Sequence, residues 1–327
     1  MRRRWLLLAV ILSAPSGCDN VKWGGVDVRL QAPSAPAEAA PPPAVEPEAA
    51  NPLPELPKGP ILLAGTREGG LATLVVVGEV LGDALASLPT DERAPGFEEH
   101  FTRTLLAPGT ELVLFSEGVR VGRLTVTGTA LDSSWCAPRP RVTGVVELAP
   151  GAMGATRLFA LTDSASRHHS WEPFLSFRDE YDQRAASIAL ATEAIPQAGA
   201  EWPPSLVGAR ASLDVFRLPE AQGPSVAATF LNGDRLEVGE AGPGAYSMLV
   251  MGTRVGLVYQ PSFVSFKRAI TGKAAPRYFA HLDWNADGNS EILLEVFGSA
   301  TRWFATLGRQ GGAWVQTFQD PCGAAAG

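Results

Sequence analysis

Basic residues are the minority charge: 27 Lys and Arg stand against 34 Asp and Glu, a formal net charge of −7. Without Arg2, Arg3 and Arg4 the balance falls to −10. Nucleic acids bind concentrated positive faces, so this balance argues against a nucleic-acid partner. Charged residues of either sign make up only 19% of the 327, against 46% hydrophobic. That excludes a disordered acidic chain and leaves material for one or two packed cores. No apolar run is long enough to cross about 30 Å of bilayer hydrocarbon. The four histidines include no HExxH pair and the three cysteines no CxxC. GxSxG, P-loop and GxGxxG signatures are missing too, which counts against the common hydrolase, metalloprotease and nucleotide-binding classes. Glycine and proline are abundant instead, at 34 and 27 residues. They favour short strands joined by turns over a helical bundle.

The first residues read as an export signal. Met1 to Arg4 is a basic stretch, residues 5–12 are apolar, and Ser13-Ala14-Pro15-Ser16-Gly17 are small, ahead of Cys18. Ser16-Gly17-Cys18 resembles the end of a bacterial lipoprotein box, although Pro15 stands where that family usually has Leu. The resemblance implies that Cys18 is lipidated and anchors the chain to a membrane, periplasmic or surface-facing. The alternative is ordinary cleavage near Ser16 or Gly17 and secretion. Asp19 resembles an inner-membrane retention signal. Residues 18–58 are rich in proline, alanine and glutamate from residue 31 on. Proline removes backbone donors and biases its predecessor toward extended conformations, so this segment reads as a semi-rigid tether of about 3.1 Å per extended residue.

From Pro60 onward the pattern is mainly β, of the α+β type, with antiparallel sheets. Two β-rich lobes are expected, at 59–200 and 201–323. Strands are expected at 71–77, 111–115, 119–126, 142–148 and 157–161, with Ser116-Glu117-Gly118 as a hairpin loop. Short helices are expected at 80–88 and 97–106. The longest, at 178–194, has Asp179 and Glu180 in its first turn and Pro196 as its stop. In the second lobe Leu213, Val215 and Arg217 alternate with Asp214, Phe216 and Leu218. Runs at 226–230 and 235–238 flank Asn232-Gly233, a pair favoured in type I′ turns. Alternation continues through Tyr246, Met248 and Val250, then Val255, Leu257 and Tyr259. Four strands follow, at 277–282, 291–297, 302–307 and 313–318, an antiparallel meander. Pro108-Gly109 and Pro243-Gly244 each precede a strand and an Arg-Val-Gly triplet, a loose hint of two related lobes.

Cys136 and Cys322 are the two cysteines left after export, an even pair in an oxidising compartment. A bond between them would tie the first lobe to the C-terminus, with a chain-entropy gain of at most roughly 5 kcal/mol. Asp283-Trp284-Asn285-Ala286-Asp287-Gly288-Asn289-Ser290-Glu291 is the most specific motif. Oxygen ligands at alternate positions of a tight loop converge on a hard cation, and Gly288 permits the bend. Asp283, Asn285, Asp287 and Glu291 are placed to offer side-chain oxygens and Asn289 its carbonyl. The loop resembles the calcium loops of FG-GAP and VCBS-type repeats, where DxDxDGxxD/E joins two strands, but it occurs once. The resemblance implies one structural calcium ion; the alternative is a plain turn of Asp, Asn and Gly.

Other candidates are local. His168-His169 lies near Asp163 and Glu172, yet adjacent residues on a strand face opposite ways. Glu98-Glu99-His100 lacks a second zinc histidine and reads as a polar helix face, and His281 as packing beside the Asp loop. Trp135, Trp171, Trp202, Trp284, Trp303 and Trp314 should mostly be core, exposed ones being able to stack on sugars. The expected protein is a non-enzymatic envelope lipoprotein with a structural or protein-binding ectodomain. The alternatives are a carbohydrate- or wall-binding module, or an exported hydrolase whose catalytic residues are dispersed around His168 or His169.

Overall fold

A computed structural model describes residues 55–89, 96–162, 173–270 and 272–324. Cys18, the residues before it, most of the proline-rich segment, His168-His169 and Trp171 lie outside the described residues. The described chain is mainly β and antiparallel, as the alternation predicts.

The first sheet holds β1 (Ile61–Glu68), β2 (Leu71–Leu81), β3 (Ala84–Ala86), β4 (Glu111–Ser116), β5 (Val119–Asp132), β6 (Arg139–Leu148) and β7 (Arg157–Leu161). Their order is β1-β7-β4-β5-β6-β2, and β2 pairs again with β1. Six strands therefore close into a barrel, and β3 extends the end of β2. Residues on one face of each strand, among them Leu63, Leu74, Leu114, Leu124, Val142 and Leu158, fill the lumen. Phe97 and Phe101 of helix α1 (Phe97–Leu105) join them. At two positions of the wall only glycine fits. A Cβ on Gly65 would fall 1.9 Å from the Thr73 carbonyl oxygen, and one on Gly122 would fall 2.1 Å from that of Glu147.

The outward faces of the barrel are apolar as well. Leu62, Val75, Val77, Phe115 and Phe159 pack against Phe279, Leu282, Leu293 and Phe304. Those four come from a second sheet, β12 (Ala275–Leu282), β13 (Glu291–Phe297), β14 (Arg302–Gln310) and β15 (Ala313–Gln319), a meander in simple order. Its opposite face, with Ile292, Leu294, Ala305 and Leu307, packs on Phe216, Leu249 and Met251. These belong to a third sheet of β8 (Arg210–Phe216), β9 (Ser225–Asn232), β10 (Tyr246–Val255) and β11 (Val258–Arg268). Helix α2 (Tyr181–Gln197) covers the far side of that sheet through Leu190, Ala191, Ala194 and Ile195. Two short helices, α3 (Leu206–Ala209) and α4 (Pro321–Ala324), and a 3-10 turn at Pro150–Ala152 complete the described elements. The meander is thus the middle layer, which is why every residue of β13 is buried.

Several boundaries differ from the sequence reading. Residues 80–88 form no helix; they end β2 and form β3, because Glu79–Leu81 pair with Ala84–Ala86 across a tight turn. Helix α2 starts at Tyr181 rather than 178, since Glu180 and Gln183 form a capping box. It also runs one residue past Pro196. Residues 235–238 form no strand after Asn232-Gly233, and β9 pairs with β10 instead. The buried Lys273 ammonium accounts for this. It lies 2.7 Å from Asp234 and donates to the carbonyls of Arg235 and Glu237, which removes those carbonyls from any ladder. The two Pro-Gly segments are not equivalent either. Arg120-Val121-Gly122 lies within β5 of the barrel, whereas Arg254-Val255-Gly256 ends β10 of an open sheet. The boundary drawn at residue 200 falls just after α2, between that helix and the sheet it covers.

Candidate functional site

The Asp283–Glu291 loop joins β12 to β13, as a strand-linking loop should. Trp284 anchors it, buried against the barrel wall with its ring 6.0 Å from that of Phe159. The acidic side chains turn onto the loop's own backbone. Asp283 accepts from the N–H groups of Asp287 and Gly288 at 3.1 and 3.0 Å. Asn285 accepts from Asp287 N–H at 3.0 Å, Asp287 from Asn289 N–H at 2.7 Å, and Glu291 from Trp284 N–H at 3.2 Å. Ala286 takes a φ of 61° and Gly288 one of 90°. Burial raises the Glu291 carboxyl to about 8, and the neighbouring Asp283 and Asp287 add to the rise. Burial likewise raises Asp283. The donor set is hard oxygen, as calcium requires. Among the described residues, however, no group of three His, Cys, Asp or Glu converges on a common point.

Cys136 and Cys322 are bonded, with Cα atoms 5.8 Å apart. The bond joins the loop after β5 to α4, so it clamps the barrel to the end of the meander. Beside it Arg139 donates to Asp320 at 2.6 Å, both side chains being buried, and Asp320 also accepts from Phe304 N–H at 2.9 Å.

A third constellation has no sequence motif. The β4–β5 hairpin turns through Glu117 and Gly118, with φ of 49° and 75°. A left-handed first turn residue suits Asn, Asp or Gly, so Glu117 occupies an unfavourable backbone position. Its carboxylate edges a cavity of about 470 Å³ with Arg157 of β7, Asp214 of β8 and Tyr278 of β12. Arg157 donates to Asp214 at 2.7 Å and to the Phe279 carbonyl at 3.1 Å. His281 lies fully buried behind them, its Nδ1 2.8 Å from the Tyr278 hydroxyl and 3.8 Å from Glu117. Burial raises Glu117 to about 7, against the pull of Arg157, and lowers His281 to about 4. One carboxylate is thus held by an arginine and a second is half-protonated near neutrality, the environment of an acid–base group. Three separate strands and a turn supply these residues, so no local spacing betrays them. The only sequence signal was a Glu in a turn position that wants Asn or Gly.

The remaining candidates separate. His100 lies on the exposed side of α1 near Thr104, and Glu99 pairs with Arg103 on the same helix. Trp135, Trp284, Trp303 and Trp314 are buried, while Trp202 is 54% exposed. No protein-family model, curated protein or solved structure matches the chain.

Proposed function

We propose that this chain is an exported, lipid-anchored protein of the bacterial envelope whose β-rich body works by binding rather than by catalysis, in a structural role or by holding another envelope protein. The observation that carries the reading is the Cys136–Cys322 bond. Such bonds persist in oxidising compartments, and this one joins distant elements of the body. The basic N-terminus, the lipobox-like Ser16-Gly17-Cys18 and the proline-rich tether support the same reading. A calcium ion in the Asp283–Glu291 loop belongs to the proposal; its support is the all-oxygen donor set and the mutual repulsion of three carboxylates, which a cation would relieve. The cavity beside Glu117 favours a second reading, in which the body takes a small polar molecule such as a glycan fragment. Metabolic labelling with radioactive palmitate tests the anchor. Label should enter the membrane fraction and vanish in Cys18→Ser; label in neither, or equally in both, overturns it.

A further inference from the structure

At the rim where the barrel meets the middle sheet, a cleft of about 280 Å³ opens between strands of the two layers. The barrel contributes Arg141 of β6 and the hydroxyls of Thr66 and Thr73, which face each other across β1 and β2. The middle sheet contributes Arg277 of β12, Glu295 of β13 and Arg302 of β14. Arg277 and Glu295 are cross-strand partners.

The charges do not balance. Glu295 is buried, and both its oxygens are already engaged, one by Arg277 and the other by Arg302 at 2.9 Å. Asp132 also lines the cleft; it accepts from the N–H and hydroxyl of Ser134, and Arg302 contributes to holding its carboxyl below the usual range. That leaves three guanidinium groups against two carboxylates. Arg141 is the surplus. It has no ion-pair or hydrogen-bond partner among the described residues, and its Nε is shut away from solvent, as is that of Arg277. Burying part of an unpaired guanidinium is costly unless an anion completes it.

The groups are also held in place. Arg302 lies over the Trp135 ring at 4.2 Å and donates to the Ser134 hydroxyl, and Arg277 lies over Phe297 at 5.2 Å. All three arginines rise from strands, where their forks are pre-organised for planar or tetrahedral oxyanions. A chain with an overall charge of −7 gains nothing from general attraction of anions, so this positive island requires a local reason. The cleft fits one compact group, not a polyanion.

We propose that the Arg141–Arg277–Arg302 cleft binds a phosphate-type oxyanion, with Arg141 as its principal unshared donor and the Thr66 and Thr73 hydroxyls beside it. The source is either free phosphate or the headgroup of an anionic lipid. The proposal does not rest on lipid anchoring, so the two fail separately. The test uses the purified full chain at low salt. Titration with inorganic phosphate by calorimetry and flotation with phosphatidylglycerol vesicles, against phosphatidylcholine vesicles, form the two arms. Saturable binding in either arm is expected, weakened on the order of tenfold or more by Arg141→Gln, by less in Arg141→Lys, and not by Arg254→Gln on the remote β10–β11 hairpin. Vesicle binding without phosphate binding assigns the lipid headgroup; phosphate binding alone assigns the free ion. Absence of binding in both arms, or an Arg141→Gln protein that binds like the unaltered chain, overturns the proposal. So does equal loss in Arg254→Gln, which would mean diffuse charge attraction only. Should Arg141→Gln not fold, Arg141→Lys carries the comparison: unchanged affinity there overturns the proposal.

Discussion

Glu117 holds a carboxyl whose proton the folded protein retains to about pH 7, against an ordinary value of 4.5. Between those values the folded state binds more protons than the unfolded state, so stability falls as pH rises from 4.5 through 7. The loss approaches at most roughly 3 kcal/mol. Glu117→Gln should flatten this decline, measured as the difference in urea midpoint between pH 5 and pH 8; an unchanged difference would show that the carboxyl is not desolvated as described. His281 works in the opposite direction. Its depressed value of about 4 means that its contribution is complete above 6.5 and is lost as pH falls toward 4. Neither group was legible as part of a site. His281 read as packing beside the acidic loop, whereas its ring faces Phe216, the Tyr278 hydroxyl and the Glu117 carboxyl, which come from β8, from β12 itself and from a distant turn. Arg141, likewise, is one charge on an alternating strand until the second sheet places Arg277 and Arg302 opposite it.

At the scale of elements, alternation located most of the strands, because apolar residues at every second position have one stable solution. The four strands of the meander were readable as short apolar runs bounded by turn residues, and the hairpin at 117–118 from Ser116-Glu117-Gly118. Residues 235–238 were not, since the buried Lys273, 38 residues after Arg235, captures the carbonyls of Arg235 and Glu237. Because β13 is covered on both faces, Leu293→Ala should cost about 2–5 kcal/mol in chemical denaturation, more than any truncation on the half-exposed β11. The Asp283–Glu291 hairpin carries its own prediction. Calcium should raise the melting temperature of the unaltered chain, and the increase should grow as pH rises through about 8, where the Glu291 carboxyl ionises. Asp287→Ala should abolish that increase. A melting temperature indifferent to calcium in both proteins would leave the loop as a self-capped turn, with Asp283, Asn285 and Asp287 spent on backbone N–H groups.

Across the whole molecule the layers run barrel, meander, third sheet and helix, and three apolar interfaces hold them. The Cys136–Cys322 bond spans the first of these interfaces near the buried Arg139–Asp320 pair. Replacing both cysteines by serine should lower stability by about 2–5 kcal/mol in equilibrium unfolding. Reductant should produce the same loss in the unaltered chain and none in the variant. The sequence by itself determined the β class, the meander, the pairing of the last two cysteines and the position of the acidic loop, because each depends on period, parity or local turn chemistry. Closure of six strands into a barrel, the burial of the meander on both faces and the two charged clusters were decided only by tertiary structure. Those features depend on which faces meet, and residues as far apart as Arg141 and Arg302 share no local pattern until two layers bring them to one rim.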